Sequence, residues 1–195
     1  MKKIIKELWI LAILLSVALS GYAYDFEVNG IYYYKNSDGK TVYVTYKESN
    51  YNSYSGSVVI PSTVTYSGTT YSVTSIGGYA FANCSGLTSV TIGNSVTEID
   101  ANAFKGCSGL TKVEISDIAA WCKISFVANN GYVYSHPLTY ADHLFLNGKE
   151  VTKLIIPNSV TSISNYAFFG FRALTSVAIP NSVTSISDGA FKNCI

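Results

Sequence analysis

The sequence predicts a mainly β protein with short helical turns, a solenoid built from repeats of about 23 residues. One unit of sequence returns along the chain, and its clearest copies are residues 87–109, 151–173 and 174–195. Leu87 and Leu110 are 23 residues apart, as are Val151 and Leu174. Aliphatic residues recur at the first, fourth and sixth places of the unit. A fixed period with this pattern is typical of a leucine-rich-repeat solenoid.

Each repeat is predicted to begin with a short strand and to close with an Ala-Phe turn. Val90 and Ile92 are two places apart, so they share the inner face of a strand. A proline or glycine such as Gly93 then ends the strand, because proline cannot donate to a ladder and glycine weakens one. Ala103 and Phe104 close the coil on its far side, where a small residue beside a ring lets coils nest. Four recognisable units and a modified one satisfy the need for about three stacked repeats.

The first 23 residues have the composition of an export signal. Three lysines open the chain, and an apolar run at 8–19 follows that is too short to span a bilayer comfortably. Gly21 and Ala23 place small residues at a cleavage site. We therefore expect a signal peptide at 1–23 and export to the cell surface or the medium, the alternative being an uncleaved N-terminal anchor. No later apolar run is long enough to suggest a membrane span in the mature chain.

The charge balance excludes one class of partner. Cleavage would remove three of the 13 basic and one of the 12 acidic side chains, leaving ten and eleven. The mature chain is then close to neutral and has no basic stripe, so we expect no nucleic-acid partner.

Residues 24–55 are predicted to form an N-terminal β-hairpin cap. Eleven of the 16 tyrosines lie between Tyr22 and Tyr71. Asn29-Gly30 and Asp38-Gly39 are hairpin turn signals, because these residues tolerate positive φ. A cap would cover the open end of the solenoid, which otherwise exposes an apolar layer and unpaired strand groups. The tyrosine cluster is alternatively a carbohydrate platform.

The solenoid is predicted to cover residues 56–195, with an irregular insert at about 116–150. The first repeat carries nine extra residues and a turn at Ser67-Gly68, which indicate a protruding hairpin. In the insert, Ser116-Asp117 offers an N-cap for a short helical turn at 118–122. Residues 125–138 are expected to be an irregular loop, and Asn147-Gly148 predicts a hairpin over 144–151.

The recurring string is specific enough to suggest a family. It is NSVTEIDANAFKGC at 94–107 and NSVTSISDGAFKNC at 181–194, and it resembles the BspA-like, or Treponema-type, leucine-rich repeats of bacterial surface proteins. The segments DIAAWCKISF, HPL and LFLNGKEV, within 117–151, are similar to a recurrent insert of that family. The resemblance covers about residues 56–195. It implies a curved solenoid on a secreted or cell-surface protein, with a role in adhesion to host proteins or other bacteria.

The resemblance carries over no catalytic residue and no cofactor. The chain departs from the family pattern at Phe171, where cysteine is usual, and in a last unit that is cut short.

The cysteines are predicted to be buried free thiols rather than disulfides. Cys84, Cys107 and Cys194 share one repeat position, at which Phe171 stands in another coil, and Cys122 lies in the insert. Stacked coils would bring the Cα atoms of neighbours into disulfide range, but with parallel Cβ vectors that do not suit the bond. Because a phenylalanine occupies the same repeat position, we expect that position to lie in the apolar interior.

No catalytic or metal-binding pattern stands out, so we predict that the chain is not an enzyme and has no cofactor. His136 and His143, with Asp142 and Cys122, match no structural zinc spacing. No phosphate-binding, dinucleotide-binding, metalloprotease or nucleophile-elbow motif occurs.

The function predicted from these observations is a secreted or surface-held protein that binds a protein ligand, such as a host matrix or bacterial surface protein. Two alternatives stay open. The chain is a structural surface component that self-associates end to end, or it is the N-terminal fragment of a longer adhesin. Both are suggested by the position of Cys194 one residue from the end, with no polar capping unit after it.

Strand alternation predicts which side chains face a ligand. The outward row is Val59, Thr91, Glu114, Ile155 and Ala178. A second row, two places earlier, is Ser57, Ser89, Lys112, Lys153 and Ser176. The binding site is therefore predicted at Lys112, Glu114, Lys153 and Ile155, where charge and an aliphatic side chain contrast with small neighbours. Solvated surface without a ligand is the other interpretation.

Overall fold

The computed structural model describes residues 23–49, 51–129, 133 and 136–194, and it is a β solenoid whose coils contribute strands to two faces. The predicted export signal lies outside the described residues except for Ala23. The cap strands are β1 (Phe26–Val28), β2 (Ile31–Lys35) and β3 (Thr41–Thr45). The repeat strands of the first face are β4 (Gly56–Ile60), β7 (Leu87–Ile92), β9 (Lys112–Ile115), β13 (Lys153–Ile155) and β15 (Ser176–Ala178).

The second face carries the shorter strands of each coil. These are β6 (Thr69–Ile76), β8 (Glu98–Ile99), β10 (Ser125–Phe126), β14 (Ser162–Ile163) and β16 (Ser185–Ile186). Two hairpins add β5 (Thr63–Tyr66), β11 (Leu144–Leu146) and β12 (Lys149–Glu150). The insert holds two single-turn helices, α1 (Ile118–Trp121) and α2 (Leu138–Ala141).

The core lies between the two faces and is closed by the Ala-Phe turns, as the sequence predicts. Val90 and Ile92 are at most 3% exposed. Phe81 and Phe104 of successive coils stack with ring centroids 4.9 Å apart and planes 9° apart. The Tyr54 ring packs on Phe81 at 4.6 Å, with the planes tilted by 42°. Aromatic contacts therefore run from the repeats into the segment that joins them to the cap.

Threonines link the coils at the repeat period. The backbone N–H and the hydroxyl of Thr111 both donate to the carbonyl of Thr88, at 3.0 and 3.2 Å. The same double contact joins Thr97 to Thr74, Thr175 to Thr152 and Thr184 to Thr161. Each pair is 23 residues apart, so these contacts help to hold the coil length constant.

Two positions near each Ala-Phe turn have left-handed backbone. The residue before the alanine has φ near 60° in four coils, and these residues are Tyr79, Asn102, Tyr166 and Gly189. The second residue after the phenylalanine is also left-handed, and these residues are Asn83, Gly106, Gly170 and Asn193. Asparagine and glycine tolerate this conformation best, which explains their recurrence at these places.

The two hairpin turns predicted in the cap are confirmed. Asn29 and Gly30, with φ of 53° and 77°, join β1 to β2. The Asp38 carboxylate accepts hydrogen bonds from the N–H groups of Lys40 and Thr41 in the next turn. β3 then pairs in parallel with β6, so the meander extends the second face. The first face is not extended in this way, because β4 pairs only with β7 among the described strands.

The hairpin of the enlarged first repeat forms at Ser67-Gly68, where β5 and β6 pair antiparallel. It was predicted to protrude from the solenoid wall, and the structure adds a contact between its turn end and the cap. The Tyr66 ring stacks on Phe26 of β1 at 4.4 Å, with the planes 8° apart. Phe26 is buried partly by this contact. The extra residues therefore cover an apolar side chain of the cap.

The insert keeps the layers of the solenoid more closely than its sequence suggests. The Asp117 side chain caps α1 by accepting from the Ala119 N–H at 2.7 Å, as predicted. The expected irregular loop at 125–138 instead begins with β10, which pairs in parallel with β8, and α2 starts at its last residue. Phe126 is buried beside Ile99 in this pairing, and that burial holds the strand in place.

The insert also supplies hydrogen-bond donors to the carbonyl of Ala167 in the next coil. In the regular coils an alanine carbonyl of the Ala-Phe turn accepts from the preceding coil's phenylalanine N–H, as in the 2.8 Å contact of Phe81 with Ala103. The coil before Ala167 has no such phenylalanine. The Trp121 indole N–H donates to the Ala167 carbonyl at 2.7 Å, and His136 Nε2 lies 3.1 Å from the same oxygen.

A glycine packed against the preceding coil generates a stability prediction. A Cβ on Gly109 would lie 2.2 Å from the Ser85 carbonyl oxygen, whereas one on Gly86, the same repeat position, would meet Ser55 at 3.3 Å. We expect Gly109→Ala to lower the free energy of unfolding by about 1–3 kcal/mol. Gly86→Ala should cost clearly less. Urea denaturation of both variants measures the difference, and equal midpoints would contradict the predicted crowding.

Candidate functional site

The outward rows of the first face are exposed on β4, β13 and β15 but half-buried on β7 and β9, and the rows are interrupted. Val59 is 59% exposed and Ile155 is 72% exposed, although both are aliphatic. The register pairs Val59 with Thr91 and Thr91 with Glu114, in the predicted order. β13 and β15 form a separate parallel pair in which Ile155 stands beside Ala178.

The predicted step from β9 directly to β13 was wrong. β9 pairs in parallel with β11, which places Phe145 beside Glu114 where Ile155 was expected. β12 then folds back antiparallel on β11. The physical reason is that Leu144 and Leu146 are two places apart and supply the same strand pattern as the repeats. The hairpin was recognised from its Asn-Gly turn, but its first strand takes the place expected of the next repeat strand.

The first two predicted binding residues, Lys112 and Glu114, are engaged within the chain. The Lys112 ammonium lies 2.8 Å from a Glu114 carboxylate oxygen and 4.5 Å from the centroid of the Phe145 ring. The other Glu114 oxygen accepts from the Gly148 N–H at 2.6 Å. Together these contacts fasten the 144–150 hairpin to β9. A ligand that used Lys112 or Glu114 would compete with them.

The other two, Lys153 and Ile155, point to solvent from the same strand. Both are exposed, and Lys153 has no ion pair among the described side chains. They lie two places apart on β13, so their side chains share the outward face. The structure therefore divides the four predicted residues into an engaged pair on β9 and an available pair on β13.

The histidines and acids considered as metal ligands are occupied in separate places. His143 Nδ1 lies 2.6 Å from a Glu150 carboxylate oxygen, and Asp142 pairs with Arg172 at 2.8 Å. His136 is fully buried against Phe126, with ring centroids 4.1 Å apart. Among the described residues there is no group of three or more histidine, cysteine, aspartate or glutamate side chains placed to hold a metal ion.

The cysteines are free thiols, as predicted, but only Cys84, Cys107 and Cys122 are buried, and Cys194 is half-buried. Cys107 and Cys194 donate to the carbonyls of Phe81 and Phe168, each at 3.0 Å and each in the preceding coil. Burial, with a smaller contribution from Asp117, raises the pKa of the Cys122 thiol to about 12. Such a thiol is protonated at neutral pH and is a poor nucleophile.

A pair of cap tyrosines, the exposed Tyr34 and the half-buried Tyr43, marks a second surface of interest. Tyr34 and Tyr43 stack at 5.3 Å on neighbouring strands. They border a cavity of about 620 Å³ that also has Glu98 and Asp100 in its lining. The carbohydrate-platform interpretation concerns this surface, and it stays an alternative.

A third surface is a groove of about 890 Å³ between β4 and the β1–β2 hairpin. This groove was not predicted from the sequence. The sequence feature that indicates the groove is the uncharged segment Gly56–Ile60, because no repeat precedes it to supply a pairing strand.

A 23-residue period in the regular coils, strands on two faces and a core closed by Ala-Phe turns define a leucine-rich-repeat solenoid. The chain belongs to the family with the BspA type leucine-rich repeat region, whose profile matches residues 47–130 and 139–195 in six copies. This confirms the resemblance and the fold class predicted from the sequence. No helix in the described part of the chain is both long and apolar enough to cross a membrane.

Solved structures of bacterial proteins are similar to this chain. A leucine-rich cell surface protein from Faecalibacterium prausnitzii is 26% identical with a TM-score of 0.50, over 86% of this chain and 45% of its own. A leucine-rich repeat protein from Bacteroides ovatus is 27% identical with a TM-score of 0.51, over 88% and 45%. The chain thus spans less than half the length of these two proteins. Comparison with curated proteins gives no match.

The geometry around His136 generates a pH prediction. Its Nδ1 accepts from the Leu138 N–H at 3.2 Å, so Nε2 carries the proton that meets the Ala167 carbonyl. Burial lowers the pKa of His136 to about 3, against the weaker opposing effect of the Ala167 hydrogen bond. The unfolded chain binds this proton below about pH 6.5, while the folded chain does not. The contribution of His136 to the free energy of unfolding is therefore complete above about pH 6.5. The free energy of unfolding falls as the pH is lowered towards 3, by up to about 1.4 kcal/mol per pH unit.

Urea midpoints at about pH 7, 5.5 and 4.5 measure this slope. His136→Phe should flatten it, and His143→Gln, which removes the exposed histidine, should keep it. A slope that His143→Gln abolishes, or a parent protein whose stability does not fall over this range, would show that His136 does not control the titration.

Proposed function

We propose that this chain is an exported bacterial surface protein that binds a protein ligand, and that adhesion to host matrix or bacterial surface proteins is its role. The observation that carries the proposal is the pair of aliphatic side chains Val59 and Ile155, left 59% and 72% exposed on the regular first face. Repeat solenoids use extended sheet faces of this kind for binding. The description of the Faecalibacterium protein as a cell surface protein supports the assignment to the surface.

The same face offers little support for catalysis. Its acidic residue Glu114 is held by Lys112 and the Gly148 N–H, and the buried thiols and His136 are turned into the core. A catalytic site needs titratable groups that converge on open space. Recognition is therefore the activity that this surface fits best.

Within this proposal, Lys153 and Ile155 are the contact residues, and Lys112 and Glu114 contribute mainly by holding the hairpin beside them. Among the described residues, Ile155 is the large hydrophobic side chain with the greatest exposed fraction. Covering it therefore gives the largest hydrophobic stabilisation of a complex from one residue on this face. Lys153 adds a charge that a partner carboxylate can pair with.

We expect the double variant Lys153→Ala and Ile155→Ser to weaken binding of a protein ligand by about 10-fold or more, the usual effect of removing a binding hot spot. The measurement is surface plasmon resonance against immobilised host matrix proteins and bacterial surface proteins, with polysaccharides as a parallel series. Lys123→Ala, which removes an exposed lysine beyond α1, is the matched control and should bind normally.

The single change Lys112→Ala separates contact from support, since it should have a smaller effect than the double variant. Unchanged affinity of a folded double variant would move the site off this face, to the hairpins at 66–71 and 145–151 or to the tyrosine-rich cap. Binding to polysaccharides alone would favour the carbohydrate platform.

A second candidate function is structural, with copies that associate end to end. It is favoured by exposed aliphatic side chains in the coil at 174–194, namely Val177, Ile179 and Ile186 at 36%, 44% and 50%. We expect sedimentation velocity to show association that rises with concentration and weakens in Ile179→Ser with Ile186→Ser. A single monomeric species at every concentration would contradict this candidate and leave the binding function in place.

A further inference from the structure

The edge of the first face at β4 is open in a way that the other edge is not. β4 has β7 on one side and no strand on the other among the described residues. An edge strand presents a row of unpaired N–H and C=O groups to its surroundings. The opposite edge of the same sheet is β12, whose two residues are Lys149 and Glu150. Charged side chains of this kind discourage further pairing.

β4 has no such protection. Its sequence is GSVVI, without a charged residue or a proline, and its outward Val59 is largely exposed. Beside it runs the groove of about 890 Å³, lined by the β1–β2 hairpin, residues 53–55, β4 itself and β5. None of the described side chains that line the groove is charged. The open edge therefore faces a space that suits an uncharged chain.

We propose that β4 accepts an extended, uncharged peptide segment of a partner protein as an added strand in this groove. Strand addition supplies affinity through backbone hydrogen bonds and specificity through alternate side chains. Five residues of β4 offer a length of about 16 Å at the usual strand rise. The residue opposite Val59 is aliphatic and the residue opposite Ser57 is small, because directly opposed side chains pack together.

The occupant is a peptide segment rather than the end of a second solenoid. One added strand lies about 4.8 Å from β4, on the side where β4 and the β1–β2 hairpin line the same groove. A whole coil would also have to pass the turn at Asn29 and Gly30, which forms part of the groove wall. This inference rests on the proposed protein-binding function, but its test needs no natural ligand.

The probe is a blocked hexapeptide, TSVTIG, which copies residues 88–93 of the neighbouring strand β7 and carries no charge. Nuclear magnetic resonance titration of the protein should shift the backbone amides of β4 and of the β1–β2 hairpin. Two further peptides carry N-methyl groups on alternate residues, one peptide on the odd-numbered residues and the other on the even-numbered residues. Since a strand bonds to one neighbour through alternate residues, only one of the two should lose binding.

The matched variants are Val59→Lys and Thr91→Lys, which stand beside each other in the register on β4 and β7. Lysine on the open edge should weaken peptide binding by about 10-fold or more, while lysine on the inner strand should leave it nearly unchanged. The proposal is overturned if the unmodified peptide fails to bind or shifts amides away from β4. It is also overturned if the two methylated peptides behave alike, if the two lysines have equal effects, or if the protein dimerises through β4. Loss of strand addition with retained binding to an immobilised protein would leave the sheet-face function standing.

Discussion

The contact between successive Ala-Phe turns is the interaction on which the rest of this solenoid depends. It stacks the rings of Phe81 and Phe104 and satisfies the Ala103 carbonyl with the Phe81 N–H. A single coil cannot bury its own phenylalanine or pair its own strand edges, so stability comes from the interface with a neighbour. The interface needs small residues and left-handed backbone around the ring, which explains why asparagine, glycine and alanine recur there.

The insert and the cap can both be understood as substitutes for a missing Ala-Phe contact. At the cap end, the Tyr54 ring stands where a preceding phenylalanine would stack on Phe81. In the insert, Trp121 and His136 donate to the Ala167 carbonyl in place of a phenylalanine N–H. Tyr54 thus supplies an aromatic ring beside Phe81, and Trp121 and His136 supply donors for a carbonyl. Each segment replaces one part of the regular Ala-Phe contact.

Local and periodic features were predictable from the sequence, because they depend on nearby residues. The repeat length, the inward residues such as Val90, both cap turns and the Asp117 cap were all predicted correctly. The place of β11 beside β9 was not, because a register between distant strands is decided by competition, and LFL at 144–146 supplies the same apolar alternation as a repeat. For the same reason the four predicted binding residues were expected on adjacent strands, whereas Lys112 and Glu114 fasten a hairpin that separates them from β13.

The position of Trp121 has a consequence for the cooperativity of the molecule. A solenoid unfolds as a linear array, so its cooperativity is only as strong as its weakest internal interface. The insert joins the coils before residue 116 to those after 150, and the Trp121–Ala167 hydrogen bond crosses that junction inside the core. The sequence has two tryptophans, and the other one, Trp9, lies in the predicted export signal. In a chain that starts at Tyr24, tryptophan fluorescence would therefore report whether the two blocks of repeats behave as one folding unit.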